Sequence, residues 1–240
     1  MERSSKFEPR VVALTGAGIS AESGVPTFRG PDGLWGRYRP EELATPEAFA
    51  RDPSRVWEWY AWRREVIARA EPNPAHRTLA EMEAALPGFI LITQNVDGLH
   101  QRAGSRRVIE LHGNLWRVRC VREGRTWEDL RVPLPEIPPR CPTCGALLRP
   151  DVIWFGEPLP PTLWQRAVEA AREAEIFLVI GTSGIVEPAA SLPRLARAHR
   201  AYLVEFNIED TPLTPLMDEI WRGPVGEMLP RWWARFQKRA

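Results

Sequence analysis

Val11-Val12-Ala13-Leu14-Thr15-Gly16-Ala17-Gly18-Ile19-Ser20-Ala21 joins an unbroken apolar run to a turn of the form G-x-G-x-x-A. A run that is apolar at every position, rather than at alternate ones, is the pattern of a strand covered on both faces, as in a parallel sheet. The glycines let the backbone come close to a pyrophosphate. A helix starting behind them offers it unsatisfied N–H groups and the positive end of a dipole. Similar runs recur at 89–93, 176–180 and 201–206, with a shorter one at 108–111. Helical periodicity between them predicts helices at about 75–86, 162–175 and 188–199. This alternation predicts an α/β fold, a doubly wound, mostly parallel Rossmann-like sheet.

Two stretches break the alternation. Residues 28–74 hold glycine and proline turns and then an aromatic-rich helical segment, and 116–150 are rich in arginine and proline and carry every cysteine. Both are expected to build a smaller module, helical and zinc-knuckle in character, on a core made of about 1–27, 75–115 and 151–240. With 240 residues and 44% hydrophobic content, one main domain is the expectation.

Composition narrows the function. A formal net charge of +1 gives no electrostatic footprint for a nucleic-acid or membrane-surface binder. Two lysines against 30 arginines, with 24 prolines, point to a GC-rich or heat-adapted source. Three cysteines are too few and odd in number for a disulfide scaffold, so a reduced compartment is expected. The opening MERSSKFEPR lacks a signal-like apolar stretch, and no run of about 18 apolar residues occurs. A soluble cytoplasmic protein without a membrane partner is the resulting expectation; the oligomeric state is left open, with a monomer favoured.

The strand ends carry the polar residues. They finish in Thr93-Gln94-Asn95-Val96-Asp97, in Gly181-Thr182-Ser183 and in Phe206-Asn207, and ligands of open α/β sheets sit at such carboxyl ends. His112 follows the short run at 108–111 and is a candidate general base if it faces the same crevice. No ribose-binding acid ends a second strand about 20 residues after the glycine turn, as it does in ordinary dinucleotide-dependent dehydrogenases. Cys141-Pro142-Thr143-Cys144-Gly145 has the form of a zinc knuckle, and Cys120 supplies a third thiolate. Three residues after Cys120, where a fourth cysteine is the natural ligand, stands Glu123. Tyr60 and Arg63 lie three apart on one helix face; a phenol and a guanidinium so placed can hold a carboxylate, although a solvated arginine gives the same spacing.

Together these motifs, GAGISAESGVPTFRGPDGLW at 16–35, TQNVDGLH at 93–100, ELHGN at 110–114, the CPTC knuckle, RPDVIWFGE at 149–157, GTS at 181–183 and FNIE at 206–209, resemble the sirtuins over nearly the whole chain. The resemblance implies an NAD-dependent protein lysine deacylase. It implies that Gly16, Ala17, Gly18 and Ala21, with Phe28, Arg29 and Trp35, enclose NAD. Gln94, Asn95 and Asp97 are expected at the nicotinamide ribose, and Gly181, Thr182, Ser183, Asn207, Glu209 and Val225 at the adenosine half. Val152, Ile153, Phe155, Gly156 and Glu157 resemble the segment on which an acyl-lysine peptide adds as a β-strand. His112, with Asn95, takes the catalytic role. By the same resemblance, nicotinamide leaves the ribose, the acyl oxygen captures that carbon, and His112 removes a proton from a ribose hydroxyl that attacks the imidate. The products implied are nicotinamide, O-acyl-ADP-ribose and free lysine.

The Y-x-x-R pair resembles the sirtuin subgroup that accepts succinyl and malonyl groups, with Ala44 as its small residue beside the acyl chain. Cys120, Cys141 and Cys144 correspond to ligands of a structural zinc whose fourth ligand is left open. Two other readings of the residues are a dehydrogenase, from the glycine turn alone, and a non-enzymatic zinc-knuckle binding module.

Overall fold

The computed structural model describes residues 9–29, 33–36 and 38–238; the Trp35 side chain lies outside the described residues. In chain order the strands are β1 (Val11–Thr15), β2 (Ile90–Thr93), β3 (Val108–Glu110), β4 (Gly113–Cys120), β5 (Thr126–Glu128), β6 (Leu148–Val152), β7 (Ile176–Ile180), β8 (Tyr202–Asn207) and β9 (Glu219–Arg222). The helices are α1 (Gly18–Ala21), α2 (Pro40–Leu43), α3 (Pro46–Arg51), α4 (Pro53–Arg69), α5 (Pro74–Ala85), α6 (Leu99–Arg102), α7 (Pro161–Glu173), α8 (Ser191–Ala198) and α9 (Val225–Gln237).

Six strands form one sheet in the order β3-β2-β1-β7-β8-β9, every pairing parallel. This is the doubly wound arrangement expected from the continuous apolar runs. All five residues of β1 are buried because helices cover both sides. Val11 and Ala13 face α5 and α9, where Leu79, Met82, Leu229 and Trp232 pack. Val12 and Leu14 face α7 and α8, through Ala167, Ala170, Leu192 and Ala196. The strand order reverses between β1 and β7, so a crevice opens there at the carboxyl ends of the strands.

The second unit is a three-stranded antiparallel sheet, β5-β4-β6, against which α4 packs. Its fully buried Trp57 donates from Nε1 to Leu148 O at 2.7 Å. Arg64, also fully buried, donates from Nε and Nη2 to Leu115 O at 3.0 and 2.9 Å. The aromatic segment and the cysteine-bearing segment therefore share one core rather than forming separate appendages.

Three local expectations change. The helix behind the glycine turn is a single turn, α1, because the chain leaves it through Ser23 and the left-handed Gly24 (φ 82°). The helix expected at 188–199 starts only at Ser191. Strand β9 and the small sheet are additions to the expected set.

Candidate active site

The glycine turn is held by the neighbouring strand end. Gly16 N donates to Ile180 O at 3.0 Å and Gly18 N to Gly181 O at 2.8 Å. A Cβ on Gly16 or on Gly18 would lie 2.8 Å from Gly181 O. These glycines serve the close approach of β1 and β7, and the Gly18 amide is spent on that contact rather than on a phosphate. Ala17 N is the turn amide without an acceptor among the described residues, and Ala17 faces the crevice.

The crevice is a cavity of about 800 Å³, within the range of roughly 300–1,000 Å³ of small-molecule sites. It gathers nearly every residue singled out in the sequence. Gly16, Ala17, Gly18, Ala21, Phe28 and Arg29 line one end. Gln94, Asn95 and His112 lie along it, and Gly181, Thr182, Ser183, Asn207, Glu209 and Val225 line the far side. Ala44, Tyr60, Arg63 and the Val152, Ile153, Phe155, Gly156 and Glu157 segment close it toward the small sheet.

Asp97 is the exception among the described residues. Its carboxylate is buried behind the wall, accepting from Ser20 Oγ at 2.7 Å and from Leu99 N at 2.9 Å. Ser20 links it to Asn95, which does line the crevice. Asn95 Nδ2 in turn donates to Gly16 O at 3.1 Å and Ser20 Oγ at 3.3 Å, so its side chain is fixed before any ligand arrives. Gln94 Nε2 donates to Thr182 Oγ1 at 3.0 Å, and Asn207 Nδ2 donates to Thr182 O at 2.9 Å. The three strand ends are thus tied to one another.

His112 Nδ1 lies 3.1 Å from Gln94 O. A carbonyl oxygen only accepts, so the ring hydrogen sits on Nδ1 and Nε2 keeps its lone pair. Burial draws the imidazole below its ordinary value, against a smaller upward pull from the Gln94 hydrogen bond. The ring is neutral at neutral pH and offers a proton acceptor to the cavity.

Burial also draws the Arg63 guanidinium down, while Tyr60 and Asp97 pull it back up. Only 6% exposed, it stacks over the rings of Phe28 at 4.7 Å and Trp59 at 5.1 Å. Among the described residues it has neither an ion pair nor a hydrogen bond. A buried cation without a directly paired counter-charge calls for an anion.

Glu157, expected as a substrate contact, has its carboxylate occupied. It accepts from Arg149 at 2.6 and 2.8 Å and from Trp154 N at 2.8 Å, and so holds its segment in shape. Ile153 N donates to His112 O and Phe155 N to Ala44 O, both at 2.9 Å. Sequence reasoning passed over Glu22, Trp59 and Trp154, all on the cavity wall. Glu22 accepts from Gly226 N at 2.7 Å and so fixes the start of α9 beside Val225. The signal for Trp154 lay inside the quoted RPDVIWFGE string.

The cysteines form a separate site. Ligand atoms of Cys120, Glu123, Cys141 and Cys144 all lie within 4.8 Å of one another. Tetrahedral zinc with Zn–S near 2.3 Å sets ligand atoms about 3.7 Å apart; the Cys120 and Cys144 sulfurs are 3.5 Å apart, and Cys141 Sγ is 4.0 Å from Glu123 Oε2. Glu123 N also donates to Cys120 Sγ at 3.4 Å. Three thiolates and a carboxylate fit one structural zinc, with Glu123 as the fourth donor that the sequence left open. It would tie the turn after β4 to the turn before β6.

Fold and site together define a dinucleotide-binding α/β protein with a small metal module, in which a neutral histidine and an uncompensated arginine share the binding cavity. Residues 16–188 match the Sir2 family. The chain is 61% identical over 208 residues to the NAD-dependent protein deacylase of Aquifex aeolicus, covering 87% of each chain. A solved Sir2 homologue in complex with NAD is 51% identical, with a TM-score of 0.90 over 97% of this chain and 91% of that one. A second solved relative, with a deacetylated peptide and 3'-O-acetyl ADP-ribose, is 35% identical, with a TM-score of 0.83 over 94% and 92%. The protein belongs to the Sir2, or sirtuin, family.

Proposed function

We propose that the protein is an NAD-dependent protein-lysine deacylase that removes acetyl groups and acidic acyl groups such as succinyl and malonyl, yielding nicotinamide, O-acyl-ADP-ribose and free lysine. The observation that carries the acidic-acyl reading is Arg63, a buried guanidinium on the wall shared with His112 and the dinucleotide turn, with no acceptor among the described residues. NAD bound in this crevice supplies an electrophilic ribose carbon once nicotinamide leaves. Ala17 N, Thr182 and Asn207 hold the dinucleotide, and Asn95 orients its ribose. His112 Nε2 takes the proton of a ribose hydroxyl, with Nδ1–H anchored on Gln94 O.

The 152–157 segment receives the peptide as an added strand, which favours backbone over side-chain recognition. Ala44 leaves room for an acyl chain longer than acetyl, and Arg63 and Tyr60 meet its terminal carboxylate. Among the described residues no helix is long and apolar enough to cross a membrane.

Mass spectrometry of reactions with NAD and matched acetyl- and succinyl-lysine peptides tests this reading. Wild type is expected to process both, and Arg63→Met to lose about 10- to 100-fold in kcat/KM on the succinyl peptide only, the range for removing one charge-assisted contact. Equal losses on the two peptides refute the role of Arg63.

A further inference from the structure

The hydrogen bond between Trp154 and Tyr60 has a direction fixed by its chemistry. An indole N–H donates and cannot accept. Trp154 Nε1 lies 2.9 Å from Tyr60 Oη, so the phenol oxygen is the acceptor and its own hydrogen must point elsewhere. No described residue accepts it. Burial pushes the Tyr60 phenol up to about 12, so that hydrogen stays in place throughout the working pH range. One helical turn on, Arg63 offers its guanidinium to the same cavity, also without an acceptor. Two donors therefore line one cavity, and neither has an acceptor among the described residues.

The indole itself is clamped. The Arg149 guanidinium sits 3.6 Å from the Trp154 ring centroid, held there by its two bonds to Glu157 and by one from Nη2 to Val152 O at 3.0 Å. The Phe49 ring lies 5.3 Å away on the small-module side. A cation over the ring draws electron density from it and makes the N–H a better donor. Glu157 Oε2 fixes the Trp154 backbone as well. The ring consequently has one orientation, and its N–H has one target.

We propose that Trp154 is a positioning residue for acyl-chain selectivity: by donating to Tyr60 Oη it turns the phenol hydrogen into the cavity beside Arg63, so that a terminal carboxylate meets two donors already aimed at it. This rests on the acidic-acyl reading given above. An acetyl group carries no such carboxylate and gains nothing from the arrangement. With phenylalanine at 154 the ring remains, but the phenol is free to rotate and the carboxylate must order it on binding.

The test is a double-mutant cycle of Trp154→Phe and Tyr60→Phe, read as kcat and KM on matched succinyl- and acetyl-lysine peptides. Trp154→Phe is expected to lower the succinyl-to-acetyl ratio of kcat/KM by about tenfold, chiefly through the succinyl KM. In the Tyr60→Phe background the same change is expected to move the ratio by less than about twofold. Replacing Trp154 with 3-benzothienylalanine, which keeps the ring shape and removes only the N–H, covers the case in which Trp154→Phe fails to fold, with the same expected result. A ratio unchanged in both variants, or a shift of equal size with and without the Tyr60 hydroxyl, overturns the role of Trp154 while Arg63→Met still separates the two peptides. If wild type and Arg63→Met show no difference between the peptides, the acidic-acyl reading itself falls, and the role of Trp154 falls with it.

Discussion

Gly18→Ala tests whether the glycine turn exists for the ligand or for the sheet. The added Cβ would sit 2.8 Å from Gly181 O and 2.9 Å from Gly181 Cα, some 0.6 Å inside the 3.4 Å of ordinary contact. Both obstacles are backbone, so no rotamer change relieves them. They cannot retreat freely either, because Gly18 N is bonded to Gly181 O, and β1 and β7 pair along their whole length. Overpacking of this kind costs about 1–3 kcal/mol. For a domain of this size each kcal/mol is worth about 2–4 °C, so a fall in Tm of about 6 °C is expected. The relaxation must shift the turn, and Ala17 N with it, so NAD affinity by calorimetry is expected to drop about tenfold. Gly36→Ala is the control: its Cβ meets no described atom within 4 Å and its φ needs no glycine, so Tm is expected to stay within about 1–2 °C. A Gly18→Ala protein that melts and binds NAD like wild type would show that the close strand-end contact is not what the glycine serves.

His112 must be neutral to accept a proton, so activity falls as pH drops through its folded-state pKa. Burial places that pKa below 6.5, and the acid limb of kcat/KM against pH is expected below 6.5; a limb at or above the ordinary histidine value contradicts the buried, Gln94-anchored ring. Glu123→Ala is expected to release zinc to a colorimetric chelator faster than wild type, and Glu123→Cys more slowly, with Tm following the same order. Equal release rates from all three proteins would remove Glu123 from the coordination sphere.

The parts of the fold that could be read in advance were those in which burial acts on every residue. β7 is apolar at every position and β1 at all but its terminal Thr15 because helices cover both faces, and that leaves a mark in one sequence. β9 is a four-residue edge strand, Glu-Ile-Trp-Arg, half exposed and too short to show a period. The small sheet was hidden by Pro150, which reads as a break within β6, and by charges that pair across it. Arg117 reaches Glu110 at 2.7 Å and Asp151 at 3.0 Å, and Arg119 also holds Asp151. Cavity residues at strand ends were legible because polar residues there have few other reasons to cluster. Asp97 lies outside the cavity wall, its carboxylate taken up by Ser20 Oγ and Leu99 N, and nothing local in the TQNVDGLH string reveals that inward turn. Glu123 was found by its spacing from Cys120 but left open as a ligand, and Trp154 was passed over because its partner Tyr60 lies 94 positions away, a pairing that spacing cannot encode.

The two sheets are joined without a linker: β3 ends at Glu110, β4 begins at Gly113, and His112 lies between them. The returning strand crosses at the same place, where Ile153 N bonds to His112 O. The imidazole is therefore seated by backbone of both sheets, whereas Tyr60 and Arg63 stand on α4 of the small unit alone. On the function proposed above, substitutions along α4 can change which acyl chain enters while the carbonyl that anchors the base stays where it is.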